Sequence, residues 1–404
     1  MHVTARHFAS GDRVRIEVEG DRIASIRRID EGPAGPGEEH WVAPAFWDIQ
    51  LNGRWGYSFS GEDLTIDRVI EVVLAQRPLG TARLCPTLIT AGAEALRHGV
   101  ATIAAVCERE PEVARMVVGI HLEGPFLSER DGYRGAHPAA AIRDPSWPLI
   151  ERLQAESGGR VALITLAPER PGAIAFIERA TAAGIVVALG HTAADGETMR
   201  RAVEAGATLS THLGNGIAAE LPRHPNPIWH QAAEDRLMAS VIADGHHLDA
   251  GTLRVLARAK GPDRLILVSD ASPLAGLPAG RYGDWAVDPS GKIVVAGTPY
   301  LAGSNQPLEI GIRNLLGATS WSLEQAIAAV TSNPARLLGQ APPELKEGQP
   351  ADLVLVRPGP GGFSLLGSCI GGAWFPGADH VTAGNGRRCA DPVRPSGHGV
   401  GGPA

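Results

Sequence analysis

The chain has 404 residues, enough for two to three ordinary domains or for one large domain with an accessory unit. A hydrophobic fraction of 44% against 20% charged residues supplies a sizeable core and excludes a disordered chain. With 37 basic and 44 acidic residues the formal charge is −7, the wrong sign for tracking a phosphate backbone, so nucleic acid is not expected as a partner. Cys85, Cys107, Cys369 and Cys389 are scattered without a CxxC pair, which reads as free thiols in a reducing compartment. No apolar run approaches the ~20 residues that cross a bilayer, and no basic stretch followed by an apolar one opens the chain. A cytoplasmic protein with no membrane partner is expected.

In chain order, Val14, Ile16 and Val18 alternate with polar residues, Gly20-Asp21 turns, and Ile23 and Ile26 resume an extended pattern: a hairpin. Residues 32–39, rich in Gly, Pro and Glu, read as a linker. From Trp41 to about Pro343 short apolar runs alternate with amphipathic stretches. The runs Val117 to Leu122, Val161 to Leu166, Ile185 to Leu189, Leu237 to Ile242 and Leu265 to Val268 are the expected strands. Ile66 to Gln76, Ala173 to Ala183, Gly196 to Ala205, Leu253 to Lys260 and Leu323 to Val330 are expected helices, the third opened by Asp195 at the positive end of its dipole. Such alternation implies an α/β parallel sheet, either closed as a (β/α)8 barrel or open and doubly wound, and the barrel is the commoner solution at this length. Ala351 to Val356 and Phe363 to Leu366 return to strand texture, so both chain ends are expected to pair in a small β domain. The resulting division is residues 1–42 and 344–375 for that domain, 43–343 for the catalytic barrel, and 376–404 for a flexible tail rich in Gly, Pro and Arg. Trp147, Trp285 and Trp321 read as packing residues.

The chemistry lies in the residues at the strand ends, because barrel enzymes build their sites on that face. Glu123, His191, His212 and Asp270 each stand at the C-terminal end of an expected strand. One carboxylate and two imidazoles holding a dication, with a position open for water, is the composition of a hydrolytic metal site. Each residue alone is more simply structural; their shared placement favours the joint reading.

The ordered segments Gly119-Ile120-His121-Leu122-Glu123-Gly124-Pro125-Phe126, Leu189-Gly190-His191-Thr192, Thr211-His212-Leu213, Ala243-Asp244-Gly245-His246-His247, Val268-Ser269-Asp270-Ala271, Leu301-Ala302-Gly303-Ser304 and Thr331-Ser332-Asn333-Pro334-Ala335 resemble those of the N-acetylglucosamine-6-phosphate deacetylases of the amidohydrolase superfamily. The resemblance implies a TIM-like metal-dependent hydrolase barrel with a small β-sandwich domain formed by both chain ends. It implies Glu123, His191 and His212 as metal ligands, Asp270 as catalytic acid/base and His137 as the group that polarises the scissile carbonyl. It also implies Arg223, His247, Asn215 and Gly216 as holders of the sugar phosphate, the arginine reaching in from the partner of a homodimer. The loop from Leu221 to His230 departs from the family pattern, with three prolines and Trp229, and His224, His230 and His246 crowd the region.

Dinuclear amidohydrolases carry a His-x-His pair on the first strand, where this chain has Gln50 and Asn52. Neutral amides are poor ligands for such an ion, and no lysine is placed to bridge two ions, so one divalent metal per chain is expected, Zn2+ or Fe2+. Hydrogen bonding to neighbouring loops and direct substrate contact both remain open for the two amides. The expected function is metal-dependent removal of the acetyl group from an N-acetylated amino sugar, N-acetylglucosamine 6-phosphate first among them, in carbohydrate metabolism. Alternatives are a non-phosphorylated amino sugar, another N-acyl or cyclic amide substrate, and a non-catalytic binding protein.

Overall fold

In the computed structural model, which describes residues 1–29, 40–359 and 362–377, eight parallel strands pair strictly in chain order. They are β1 (Phe46–Leu51), β2 (Thr81–Ile89), β3 (Ile120–Glu123), β4 (Val161–Leu166), β5 (Val186–Leu189), β6 (Leu209–Ser210), β7 (Met238–Val241) and β8 (Leu265–Leu267). The ring closes just beyond the strand ends, where Leu51 bridges Ala271 in parallel and Asp270 N donates to Gln50 O at 3.0 Å. The fold is therefore a (β/α)8 barrel and not an open sheet. Each strand after the first is reached through a helix on the outside, which is how a parallel crossover is made.

The interior is filled by short side chains from successive strands: Ile49, Cys85, Leu163, Ala188, Leu209 and Ile266 form one buried cluster with Ile242 and Val268. Side chains alternate along a strand, so the other faces of the same strands pack on the helices. Leu84, Leu88, Leu122, Ile164, Leu166, Val187 and Leu189 meet Val69, Val100, Ile103, Ile150, Ile177 and Val203 there. Helix starts follow the capping rule. Thr65 accepts from Arg68 N, Asp195 from Thr198 N, and Asp249 from Gly251 N and Thr252 N.

Several observed elements depart from the expected ones. β4 has the expected bounds, but β3 begins at Ile120 because Val117 still closes the helix Pro111–Met116, its N–H donating to Val113 O at 2.9 Å. A short apolar run does not separate a helix end from a strand start. The sequence reading does not anticipate β2, where Pro86 looks like a breaker yet is buried within the strand. Nor does it anticipate an antiparallel insert of three short strands, Gly280–Tyr282, Trp285–Val287 and Ile293–Val295, between β8 and the helix Leu308–Ala318.

Both chain ends build one seven-stranded sheet, in the order Ala373–Pro376, Gly362–Ile370, Leu353–Gly359, Trp41–Pro44, His2–His7, Arg13–Glu19 and Arg22–Arg28. Its strands enclose Ala5, Val14, Ile16, Val18, Ile23, Val42, Leu353 and Cys369, the small β domain that flanks the barrel. Trp41–Pro44 pairs antiparallel with Leu353–Gly359 and leads through Ala45 directly into β1, so sheet and barrel share a rigid junction. The expected linker at 32–39 and all but the first two residues of the expected tail lie outside the described residues.

One buried cation braces the barrel wall. Lys260, 1% exposed, ends the helix Ala250–Lys260 and donates from Nζ to Gln231 O, Glu234 O and Leu237 O at 2.6, 2.9 and 3.0 Å. These carbonyls end the helix Pro227–Ala233 and lead into β7. Lys260→Met keeps the apolar stem and removes the donors, so it is expected to lower unfolding free energy by roughly 2–3 kcal/mol, read by urea titration.

Candidate metal and catalytic site

Glu123 is the last residue of β3, and His191 and His212 follow β5 and β6 within two residues. All three are buried, and one ligand atom from each lies within 4.8 Å of the others. Glu123 Oε1 stands 2.8 Å from His212 Nε2 and 3.2 Å from His191 Nε2, and the two imidazole nitrogens are 3.1 Å apart. Atoms with lone pairs converge this closely only around a proton or a cation. His191 Nδ1 donates to Tyr133 O at 2.9 Å, which fixes the tautomer and leaves Nε2 as an acceptor. Carboxylate plus two imidazoles fits a divalent ion such as Zn2+ or Fe2+.

His191, His212 and Asp270 adopt φ of 49°, 31° and 47°, a left-handed backbone uncommon for residues with side chains. The strained turn directs each side chain across the barrel mouth, and surrounding contacts maintain it. Two glycines make room for His191: a Cβ on Gly216 would lie 2.7 Å from its Nδ1, and one on Gly135 3.1 Å from its Cε1.

The pocket over these groups has a volume of about 230 Å³ and is lined by Asn52, His137, Asn215, His247 and Asp270 as well as the three ligands. Burial, then the nearby Glu123, pushes the Asp270 carboxyl up to about 7. Burial works upward on Glu123 too, but the imidazoles of His191 and His212 facing it outweigh that and hold the carboxyl well below its usual range. His137 is pushed down to about 3 by burial and then by His191, so its ring is neutral. Its Nδ1 lies 3.0 Å from Thr90 Oγ1, and its Nε2 3.9 Å from Glu123 Oε1.

Of the two readings left open for Gln50 and Asn52, the structure shows hydrogen bonding. Both side-chain amides donate to one oxygen, Asp270 Oδ1: Asn52 Nδ2 at 2.7 Å and Gln50 Nε2 at 3.2 Å. The first-strand amides thus serve the carboxylate across the barrel seam, and of the two only Asn52 also lines the pocket. Asp48, buried beneath them and pushed up to about 6 by burial, receives Ser269 N and Gln50 N on Oδ1.

At the far end of the pocket His247 Nδ1 donates to Asp244 Oδ2 at 2.8 Å. Asp244 Oδ1 receives the backbone N–H groups of His246 and His247, and Ser304 Oγ donates to Oδ2 at 2.8 Å. These donors, His247 foremost, outweigh burial and hold Asp244 well below the usual carboxylate range. The expected backbone donor at Asn215 is spent on His212 O at 2.9 Å, but its side-chain Nδ2 is buried without a partner among the described residues. Gly216 lines the pocket against the His191 ring. Arg223 is exposed and absent from the pocket of its own chain, and Trp229 on the helix Pro227–Ala233 is exposed as well.

Sequence reasoning missed Thr90, Asp244, Ser304 and Glu169, which receives Thr192 Oγ1 at 2.5 Å and Ala193 N at 2.7 Å and so steadies the turn carrying His191. It also assigned Trp285 to packing alone, whereas Trp285 both packs in the antiparallel insert and lines the pocket with Tyr300. The Asp-Gly-x-His spacing at 244–247 was the one available signal, since a carboxylate three residues before a histidine on a tight turn can reach its ring.

Comparison with known proteins agrees with this geometry. Residues 41–380 match the amidohydrolase family. The chain is 39% identical over 311 residues to the N-acetylglucosamine-6-phosphate deacetylase of Bos taurus, covering 74% of each chain. It is 38% identical over 360 residues to that of Homo sapiens, covering 85% of each. A mutant N-acetyl-D-glucosamine-6-phosphate deacetylase from Mycobacterium smegmatis, solved in complex with N-acetyl-D-glucosamine-6-phosphate, is 31% identical, with a TM-score of 0.81 over 93% of this chain and 98% of that one. His191→Asn is expected to bring bound divalent metal below a tenth of the wild-type content after dialysis, read by atomic absorption with circular dichroism as the folding control.

Proposed function

The chain belongs to the amidohydrolase family, among its N-acetylglucosamine-6-phosphate deacetylases, and from that premise we propose that it hydrolyses the acetamido group of N-acetylglucosamine 6-phosphate to the free amine and acetate. The observation that carries this reading is the buried convergence of Glu123, His191 and His212 in a pocket shared with Asp270. Glu123, His191 and His212 would hold one divalent ion, Zn2+ or Fe2+. When bound, that ion supplies Lewis acidity, which makes a water molecule a nucleophile at neutral pH.

The protein's own groups account for the proton traffic. Asp270 Oδ1 is occupied by two amide donors, so Oδ2 is the oxygen free to take a proton from the attacking water. A carboxyl held near 7 is balanced between base and acid at neutral pH. As the C–N bond breaks, its electron pair stays on nitrogen and the proton on Oδ2 passes to that atom, because an amide anion is too basic to leave. His137 faces the same space as a neutral ring, and it donates to the acyl oxygen in the tautomer with hydrogen on Nε2. Thr90 Oγ1 stands 3.0 Å from Nδ1 and 3.3 Å from Glu123 O, so this tautomer has the Thr90 hydroxyl turned from that carbonyl to the ring.

The distal end supports recognition of the 6-phosphate. Asp244 fixes His247 by its Nδ1 and turns Nε2 to the pocket, and the unpartnered Asn215 Nδ2 is a donor at the same end. Arg223, exposed on its own chain, is suited to complete this end from the neighbouring subunit of a homodimer. No helix among the described residues is long and apolar enough to cross a membrane. The free, buried Cys85, Cys107 and Cys369 support the cytoplasm as its compartment.

Acetate release from N-acetylglucosamine 6-phosphate, abolished by a chelator and restored by metal, is the direct test; no release from any N-acetylated amino sugar removes the reading. Asp270→Asn is expected to lower kcat about a thousandfold with metal content unchanged, and near wild-type turnover takes Asp270 out of the mechanism. His247→Gln is expected to raise KM for the phosphorylated sugar about tenfold or more. The unphosphorylated sugar should respond much less, and an equal rise for both separates His247 from the phosphate.

A further inference from the structure

Asn52 is held by three hydrogen bonds that leave one atom of it unused. Its backbone N–H donates to Ala271 O at 2.9 Å, its backbone carbonyl accepts from Phe59 N at 3.1 Å, and its side-chain Nδ2 donates to Asp270 Oδ1 at 2.7 Å. The orientation of the side-chain amide is not free. The same Asp270 oxygen also receives Gln50 Nε2, so it is an acceptor, and the Asn52 amide must present its nitrogen there. The carbonyl oxygen is thereby turned away from Asp270. Asn52 is 5% exposed and lines the pocket, and its Oδ1 is buried with no hydrogen-bond partner among the described residues. A buried acceptor without a partner is costly unless a ligand supplies the donor.

We infer that Asn52 Oδ1 accepts the N–H of the scissile amide, so that one side chain positions Asp270 with its nitrogen and the departing nitrogen with its oxygen. This rests on the deacetylase reading and gives that site its preference for a secondary amide. The chemistry requires such a contact. The nitrogen of a planar amide is a poor proton acceptor until it pyramidalises. Holding its N–H on Asn52 Oδ1 turns the developing lone pair toward Asp270 Oδ2, which carries the proton to be returned. The proton moves from Oδ2 to nitrogen while the C–N pair settles on the same atom, and the N–H held by Asn52 stays in place throughout. Asn52 is thus a substrate-positioning residue, while Gln50, which reaches only Asp270, acts through the carboxylate alone.

The test compares N-acetylglucosamine 6-phosphate with the ester analogue in which oxygen replaces the amide N–H at C2, using metal-loaded full-length protein. Gln50→Leu weakens only the support of Asp270, so its excess loss on the amide over the ester measures what proton return to the leaving nitrogen contributes. Asn52→Leu is expected to show an amide-to-ester loss about tenfold beyond that of Gln50→Leu. A loss ratio no greater than that of Gln50→Leu would overturn the assignment. Asn52→Asp keeps an acceptor oxygen in the same place and loses the amide donors. Both of its rates should fall with the amide-to-ester ratio kept within about threefold of Gln50→Leu, and a ratio about tenfold below that also overturns it. Asn52→Asp decides the matter if Asn52→Leu does not fold. A wild-type enzyme inactive on the amide would instead remove the deacetylase reading beneath it.

Discussion

The seam between the first and last barrel strands is the constraint on which the site depends. Asp270 N donates to Gln50 O and Asn52 N to Ala271 O, and these two bonds close the ring just where the strands run out. The same closure puts the first-strand amides against the Asp270 carboxylate. Ring and carboxylate are one piece of architecture: slipping the seam by one residue would turn Gln50 and Asn52 to the other face and leave Asp270 Oδ1 bare in a buried pocket. Asp48 reinforces the join from below by receiving Ser269 N across it.

Three of the four central side chains sit on left-handed backbone, at a cost of roughly 1–3 kcal/mol each. The barrel offsets this with its interior packing, which includes Ile49 of β1 and Ile266 of β8, and with the clusters between strands and helices. Burial has a second effect: it makes the charges of the site interdependent. Glu123 stays ionised because imidazoles face it, and its charge is one of the causes that keep Asp270 near neutrality. Two buried carboxyl groups of one pocket, Glu123 and Asp270, are thus pushed in opposite directions by what surrounds each.

Ser304 ties the two ends of the pocket together. Its N–H donates to Asp270 O at 2.8 Å and its hydroxyl to Asp244 Oδ2 at 2.8 Å, so the segment after the antiparallel insert spans from Asp270 to the carboxylate that orients His247. The insert itself brings Trp285 and Tyr300 to the pocket wall. Part of the pocket wall thus comes from an element that interrupts the regular strand and helix alternation, which is where variation is tolerated by a barrel.

The sequence by itself determined a parallel α/β sheet, through apolar runs alternating with amphipathic ones, and it placed Glu123, His191, His212 and Asp270 at strand ends, whereas closure into a ring came with the tertiary structure. The terminal hairpin from Arg13 to Arg28 was legible for a similar reason, since period-two alternation is local. Tertiary structure alone decided the rest. Gln50 and Asn52 lie more than two hundred residues from Asp270 in the chain and meet it only through closure of the ring. Ser304 reaches Asp244 across sixty residues. Side-chain amides and hydroxyls pair with whatever the fold brings within about 3 Å, and residue type does not encode that partner. Pro86 hid β2 because a breaker within a strand looks the same in sequence as a strand that ends, and the three-residue strands of the insert are too short for any period to show.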